Sequence, residues 1–126
     1  EAAPAPAEPV AAEAALDPAV LDELREMANG SAEIVARIAG LYRSQSAERI
    51  AELAEAIRAG DLDRLGKAAH ALKSMSFNIG ARQVAARAAE AERAARLDGR
   101  LIGEEDLAAL RADLDGVYSE LDRRLA

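Results

Sequence analysis

At 126 residues the chain is long enough for one domain with a core of its own. It has no cysteine and a single histidine, which excludes disulfides, thiolate metal centres, a cysteine nucleophile and any zinc or copper site built on several imidazoles. A formal charge of −7, with dispersed arginines, argues against non-specific nucleic-acid binding, and 2% aromatic residues leave no platform for stacked bases.

The opening tract EAAPAPAEPVAAEAA, residues 1–15, has no apolar period and prolines that block helix propagation. It is expected to be a linker or tail, with residues 16–126 forming the domain. The chain opens on Glu1 rather than Met, so the expectation is a module of a longer polypeptide or a processed chain. No run of apolar residues is long enough to cross a bilayer, and no EF-hand spacing is present.

From Leu16 onward the pattern is helical nearly throughout. Asp17-Pro18 supplies an N-cap and an N1 proline for a short helix carrying Val20, Leu21, Leu24 and Met27. Gly30-Ser31 ends it and caps a second helix from about Ala32 to Ala59, whose expected apolar stripe includes Ile34, Ile38, Leu41, Tyr42, Ile50, Leu53 and Ile57. Gly60 stops that helix and Asp61 caps a third, with Leu62, Leu65, Ala69, Leu72, Ser76 and Ile79 inward; Gly80 breaks it. A fourth helix has a small-residue stripe of Val84, Ala88, Ala91 and Ala95. A fifth, from about Glu104, carries Leu107, Leu110, Leu114, Val117, Leu121 and Leu125, with Gly116 inside it at a cost of about 1 kcal/mol against Ala.

Short loops between long amphipathic helices make neighbours antiparallel. The expected fold class is all-α: an up-down four-helix bundle with the short first helix packed across one end. An extended helical array that dimerises is the alternative.

The residues left outside the third helix's inner stripe concentrate the chain's chemistry. His70 lies between Lys67 and Lys73, the only two lysines, each three positions away. Gly66, His70, Lys73, Ser74 and Phe77 are expected to share one outer face, with Lys67 at its edge. An imidazole backed by the bundle, with one nitrogen outward and ammonium groups nearby to tolerate an anion, is placed as a nucleophile would be. Gly66 and Ser74 give an incoming group room, and an exposed Phe77 reads as part of a docking surface. The plain alternative is a half-buried histidine on a solvated face.

The stretch AHALKSMSFNIGA, residues 69–81, resembles the signature of histidine-containing phosphotransfer (HPt) domains, A-H-x-L-K-G-x-(S/A)-x-x-(I/L)-G-A. His70, Leu72, Lys73, Ser76, Ile79, Gly80 and Ala81 match it, and AERIAELAEAIRAGDLDRLGKAAH is similar to the family's lead-in. The resemblance covers about residues 16–125. It implies a phosphorelay carrier: His70 accepts a phosphoryl group from one receiver-domain aspartate and passes it to another, and Lys73 helps hold the phosphoryl oxygens. It also carries polar residues of the fourth helix onto Glu92 and Arg96, Glu92 accepting a hydrogen bond from the protonated ring nitrogen. Ser74 departs from the family's usual glycine.

The partners implied are receiver domains or a hybrid histidine kinase, with no nucleic acid and no direct membrane contact, for a monomer in the cytoplasm or in a membrane-anchored hybrid kinase. No cofactor of its own is implied, since Mg²⁺ comes with the receiver. No nucleotide-binding loop is present, so no autonomous kinase activity is expected. A helical adaptor that binds a receiver or kinase without using the histidine is the competing function, and a haem- or metal-binding bundle is a third.

Overall fold

The computed structural model describes residues 15–125, which form five helices: α1 (Pro18–Met27), α2 (Ala32–Ala59), α3 (Leu62–Ile79), α4 (Arg82–Arg96) and α5 (Glu104–Leu125). The expected linker over residues 1–15 lies, but for Ala15, outside the described residues. Each helix boundary has a local cause. The Asp17 carboxylate accepts the Ala19 amide, the Ser31 hydroxyl that of Ile34, and the Asp61 carboxylate that of Arg64. Gly60 and Gly80 end α2 and α3 in the left-handed region, at φ 68° and 85°. Three acidic residues, Glu104, Glu105 and Asp106, start α5, where the helix dipole favours them.

The tight corners at Gly60–Asp61 and Gly80–Ala81 make α2, α3 and α4 successive antiparallel neighbours, and α5 closes the ring by packing on both α4 and α2. The most extensive contact is between α3 and α4. There Ala85, Ala88, Ala91 and Ala95 are buried, and side chains this small let the two backbones approach closely.

The helices differ in length, and this gives α1 its place. α2 has 28 residues, α3 18 and α4 15. Because α3 turns straight back at Gly60, its last turn lies beside Tyr42, whose hydroxyl meets Ser76 Oγ at 2.8 Å in the core. Residues 32–41 of α2 therefore project beyond α3. The end of α5 reaches them: Tyr118 meets Ser46 at 2.6 Å, Asp122 meets Arg43 at 2.7 Å, and beyond these Leu121 and Leu125 line a hollow with Ala36, Ala39 and Gly40. α1 fills this step. Its entry is tied to the corner by the Asp17 amide donating to the Gly80 carbonyl at 2.9 Å, and a Cβ on Gly80 would lie 2.9 Å from that of Val20. Glycine thus supplies both the φ and the clearance. The two buried serines are each satisfied by a tyrosine, as buried hydroxyls must be.

Three inward assignments are corrected. Ile34 and Leu41 are exposed on α2, where Val35, Ala39, Tyr42 and Ser46 form the inner row instead. Met27 is exposed on α1, its inward place taken by Ala28, one position on and in phase with Leu21 and Leu24. The stripes of α3, α4 and α5 lie inward as read, with Leu62 and Leu125 half-buried.

Gly116 lies exposed in the middle of α5, where an added Cβ would meet only the Ala15 Cβ at 4.0 Å, an ordinary contact. Gly116→Ala is expected to stabilise the fold by about 0.5–1 kcal/mol, by lowering the entropy of the unfolded chain. The urea midpoint should rise at unchanged slope; an unmoved midpoint would refute the assignment.

Candidate functional site

His70 sits midway along α3, with its ring turned toward α4 and 53% of the side chain exposed. The alternation of core residues on α3 places it one position beyond the buried Ala69, so the helix supports the ring from beneath without enclosing it. Opposite, Glu92 projects from α4 with a side chain only 13% exposed. Its Oε2 is 2.9 Å from His70 Nδ1 and 2.7 Å from Arg96 Nη1, and its Oε1 is 2.8 Å from Lys73 Nζ. One carboxylate therefore gathers an imidazole, an ammonium and a guanidinium.

Burial of Glu92 works to raise its pKa. The hydrogen bonds from Lys73 and His70, together with their charge, outweigh that, and the carboxyl is held below its ordinary range. The tautomer of His70 follows. An ionised carboxylate can only accept, so Nδ1 carries the proton and donates it to Glu92. In the neutral ring Nε2 then holds the lone pair, and it has no hydrogen-bond partner among the described residues. The cluster is a half-exposed imidazole held by a carboxylate that also binds two cations, Lys73 and Arg96.

The other residues singled out from the sequence fall in several places. Ser74 is exposed one turn beyond His70. Phe77 is 69% exposed, outside the core as the period required. Lys67 is not brought to the ring: its ammonium pairs with Asp63 at 3.1 Å, one turn back, with both side chains in water. Gly66 is a correction. It is buried rather than open to an incoming group, because the Arg96 side chain lies across it; a Cβ there would stand 3.0 Å from Arg96 Nε.

Leu97 was not picked out by sequence reasoning. It follows α4, has no periodic partner and is 73% exposed, lining an open hollow with Lys73, Ala89, Glu92, Arg93 and Arg96. Phe77 lies two turns from His70, about 10 Å along α3, and Leu97 lies on the other side, just past the residue that covers Gly66. Two apolar side chains thus bracket the histidine. The charge around it runs against that of the whole molecule. Lys67, Lys73, Arg93 and Arg96 stand on α3 and α4, whereas α5 carries Glu104, Glu105, Asp106, Asp115 and Asp122 in exposed positions. Among the described residues no group of three or more acidic or histidine side chains is placed to hold a metal ion, and no helix is long and apolar enough to cross a membrane.

A helical bundle presenting one solvent-facing imidazole, oriented by a carboxylate and flanked by cations, is the architecture of a histidine phosphocarrier. The profile of the family described as Hpt domain matches residues 37–120. The chain belongs to that family, the phosphotransfer intermediaries of two-component phosphorelays, whose partners are response-regulator receiver domains and kinases. The crystal structure of histidine-containing phosphotransfer protein B (HptB) from Pseudomonas aeruginosa PAO1 superposes with a TM-score of 0.81 at 25% sequence identity, covering 89% of this chain and 95% of that one. No curated protein matches the chain in sequence.

Proposed function

We propose that His70 is the phosphoacceptor, and that Nε2 takes a phosphoryl group from the aspartyl phosphate of one receiver domain and delivers it to the aspartate of another. The Nε2 lone pair attacks phosphorus in line as the acyl phosphate P–O bond breaks, and the electron pair leaves with the receiver's carboxylate. The Nδ1 proton stays on the ring throughout, hydrogen-bonded to Glu92, whose charge offsets the imidazolium that forms. Lys73, and Arg96 behind it, are the cations nearest the equatorial phosphoryl oxygens. Ser74 offers a hydroxyl one turn from the ring. Onward transfer is the same step reversed, with the second receiver's carboxylate as nucleophile.

The observation that supports this reading is the 2.9 Å contact between Glu92 Oε2 and His70 Nδ1: a carboxylate there favours the proton on Nδ1 and so the lone pair on Nε2. Mg²⁺ is the receiver's contribution, and the bundle brings no cofactor and no nucleotide site, so it does not phosphorylate itself. It acts as a monomer in the cytoplasm, alone or as a module of a membrane-anchored hybrid kinase. Its positive patch matches an acidic receiver pocket and has no role toward nucleic acid. Incubation with a phosphorylated receiver should give one adduct in the intact mass, labile in acid and stable in base. Absence of transfer from every receiver tried, in folded protein, would overturn the proposal.

Docking uses the apolar bracket. Truncating an exposed aromatic that becomes central to an interface costs on the order of 1–2 kcal/mol. Phe77→Ala is therefore expected to raise the receiver Kd about tenfold by calorimetry, with Leu97→Ala in the same direction. Equal affinity for wild type and Phe77→Ala would place the docking surface elsewhere.

A further inference from the structure

We infer that Gly66 is a positioning residue of the phosphoacceptor site, acting through Arg96 and Glu92 on the orientation of the His70 ring. The inference rests on the reading of His70 as phosphoacceptor. Three observations lead to it. Gly66 lies inside α3 with an ordinary helical φ, so backbone freedom does not call for glycine, and alanine would be the better helix former. It is nonetheless buried, and what buries it is the Arg96 stem: an added Cβ would stand 3.0 Å from Nε, 3.1 Å from Cγ and 3.5 Å from Cδ. Arg96 in turn donates from Nη1 at 2.7 Å to Glu92 Oε2, the same oxygen that receives the His70 proton at 2.9 Å.

The missing side chain is thus a notch in α3, through which an arginine from α4 passes flat against the helix to brace the carboxylate. A methyl group at position 66 lifts the Arg96 stem by a few tenths of an ångström. Arg96 Nη1 then no longer holds Oε2 in place, and Glu92 is free to turn toward Lys73, its other partner at 2.8 Å. The His70 Nδ1–H bond loosens, and the ring loses its single tautomer and fixed direction. Gly66 touches none of the reacting atoms. Its effect is on the aim of Nε2.

The test is a double-mutant cycle with a small phosphoramidate as donor, so that no protein partner has to dock. Gly66→Ala should lower the rate of phosphoryl acceptance by about three- to tenfold, a fraction of the roughly hundredfold that a full 1 Å misplacement costs. Arg96→Ala, which also removes a cation from beside the phosphoryl oxygens, should lower it at least as much, and Gly66→Ala should add nothing in the Arg96→Ala background. The single histidine gives a second readout: in Gly66→Ala the imidazole ¹⁵N shifts should move from a protonated-Nδ1 pattern toward a mixture of tautomers. Circular dichroism should show the helix content retained.

If Gly66→Ala matches wild type with phosphoramidate, the inference is wrong, and slower transfer from a receiver alone would make Gly66 a clearance site for the partner. If Gly66→Ala slows the Arg96→Ala protein further, the effect does not run through Arg96 and the inference is again wrong. If wild type accepts no phosphoryl group at all, it is the phosphocarrier reading that fails. The ¹⁵N shifts then decide on the positioning alone, and an unchanged spectrum in Gly66→Ala overturns it.

Discussion

His70→Gln is expected to abolish phosphoryl acceptance outright while leaving the bundle folded and able to bind its receiver. Glutamine is close to imidazole in reach, and its amide can still donate to Glu92, so the cluster with Lys73 and Arg96 keeps a neutral partner at that corner. What disappears is the lone pair. An amide nitrogen is not nucleophilic, and the chain has no second histidine or cysteine to substitute for it. Because the side chain is half exposed and outside the core, the change in stability should stay within about 0.5 kcal/mol. Intact mass after exposure to phosphoramidate, with circular dichroism alongside, checks both halves. An acid-labile adduct persisting on His70→Gln would mean that another group is the acceptor. A wild type that binds the receiver but never carries phosphorus would instead make the chain an adaptor.

Glu92→Gln should have the next largest effect. The amide preserves shape and can still accept through its oxygen, but it removes the charge that fixes the Nδ1 proton and balances the ring as it becomes cationic. A hydrogen bond to a charged group contributes about 1.5–3 kcal/mol. Lost from the transition state, that amounts to roughly a 10- to 100-fold slower acceptance, at 1.36 kcal/mol per factor of ten.

Stability should fall too, by about 1 kcal/mol near neutrality, because Lys73 and Arg96 are only partly buried and water screens much of the loss. The pH dependence has a definite sign. The folded pKa of Glu92 is lowered, so its contribution is complete above the ordinary carboxylate range and disappears as pH falls through the folded value. The gap between wild type and Glu92→Gln in urea midpoint should therefore be present at pH 7 and narrow progressively in acid. A gap that held constant into acid would show that Glu92 does not act through its charge.

Some parts of this molecule are written locally and others are not. The helix ends were legible because each rests on a few adjacent residues: Asp17-Pro18, Ser31, Gly60-Asp61 and Gly80 carry their own capping chemistry, and the bounds of α2 fall as read. The phase of α2 was legible from Tyr42 to Ile57 but not over its first ten residues. Hydropathy favours Ile34 and Leu41 over Ala39 and Ser46, but residues 32–41 have no α3 beside them, and the inner row is set by continuing back from Tyr42, Ile50 and Leu53. Close helix approach rewards small side chains there, and Tyr118 satisfies the serine hydroxyl, so neither residue announces itself. At the site, the address of His70 could be read from the period of α3. Its contact with Glu92 spans 22 positions and two helices, and only the family resemblance pointed to it. Gly66 was misread for a related reason: what covers it comes from Arg96, on another helix.

The unequal distribution of charge bears on how fast this carrier works. The protein as a whole is an anion of −7, yet the side that presents His70 is cationic, so the molecule has a dipole whose positive end lies on the His70 side. An acidic receiver at a distance is repelled on average but meets a torque that turns the bundle toward it productively. The two effects differ in range. Added salt screens the distant repulsion first, beyond a Debye length of about 8 Å at physiological strength, and leaves the close attraction between patch and pocket less affected. Collisions are thus sorted by orientation before any contact forms. Because the net repulsion acts on every acidic partner once the phosphoryl group has moved, the same distribution favours rapid separation, which suits a shuttle that must visit two receivers in turn.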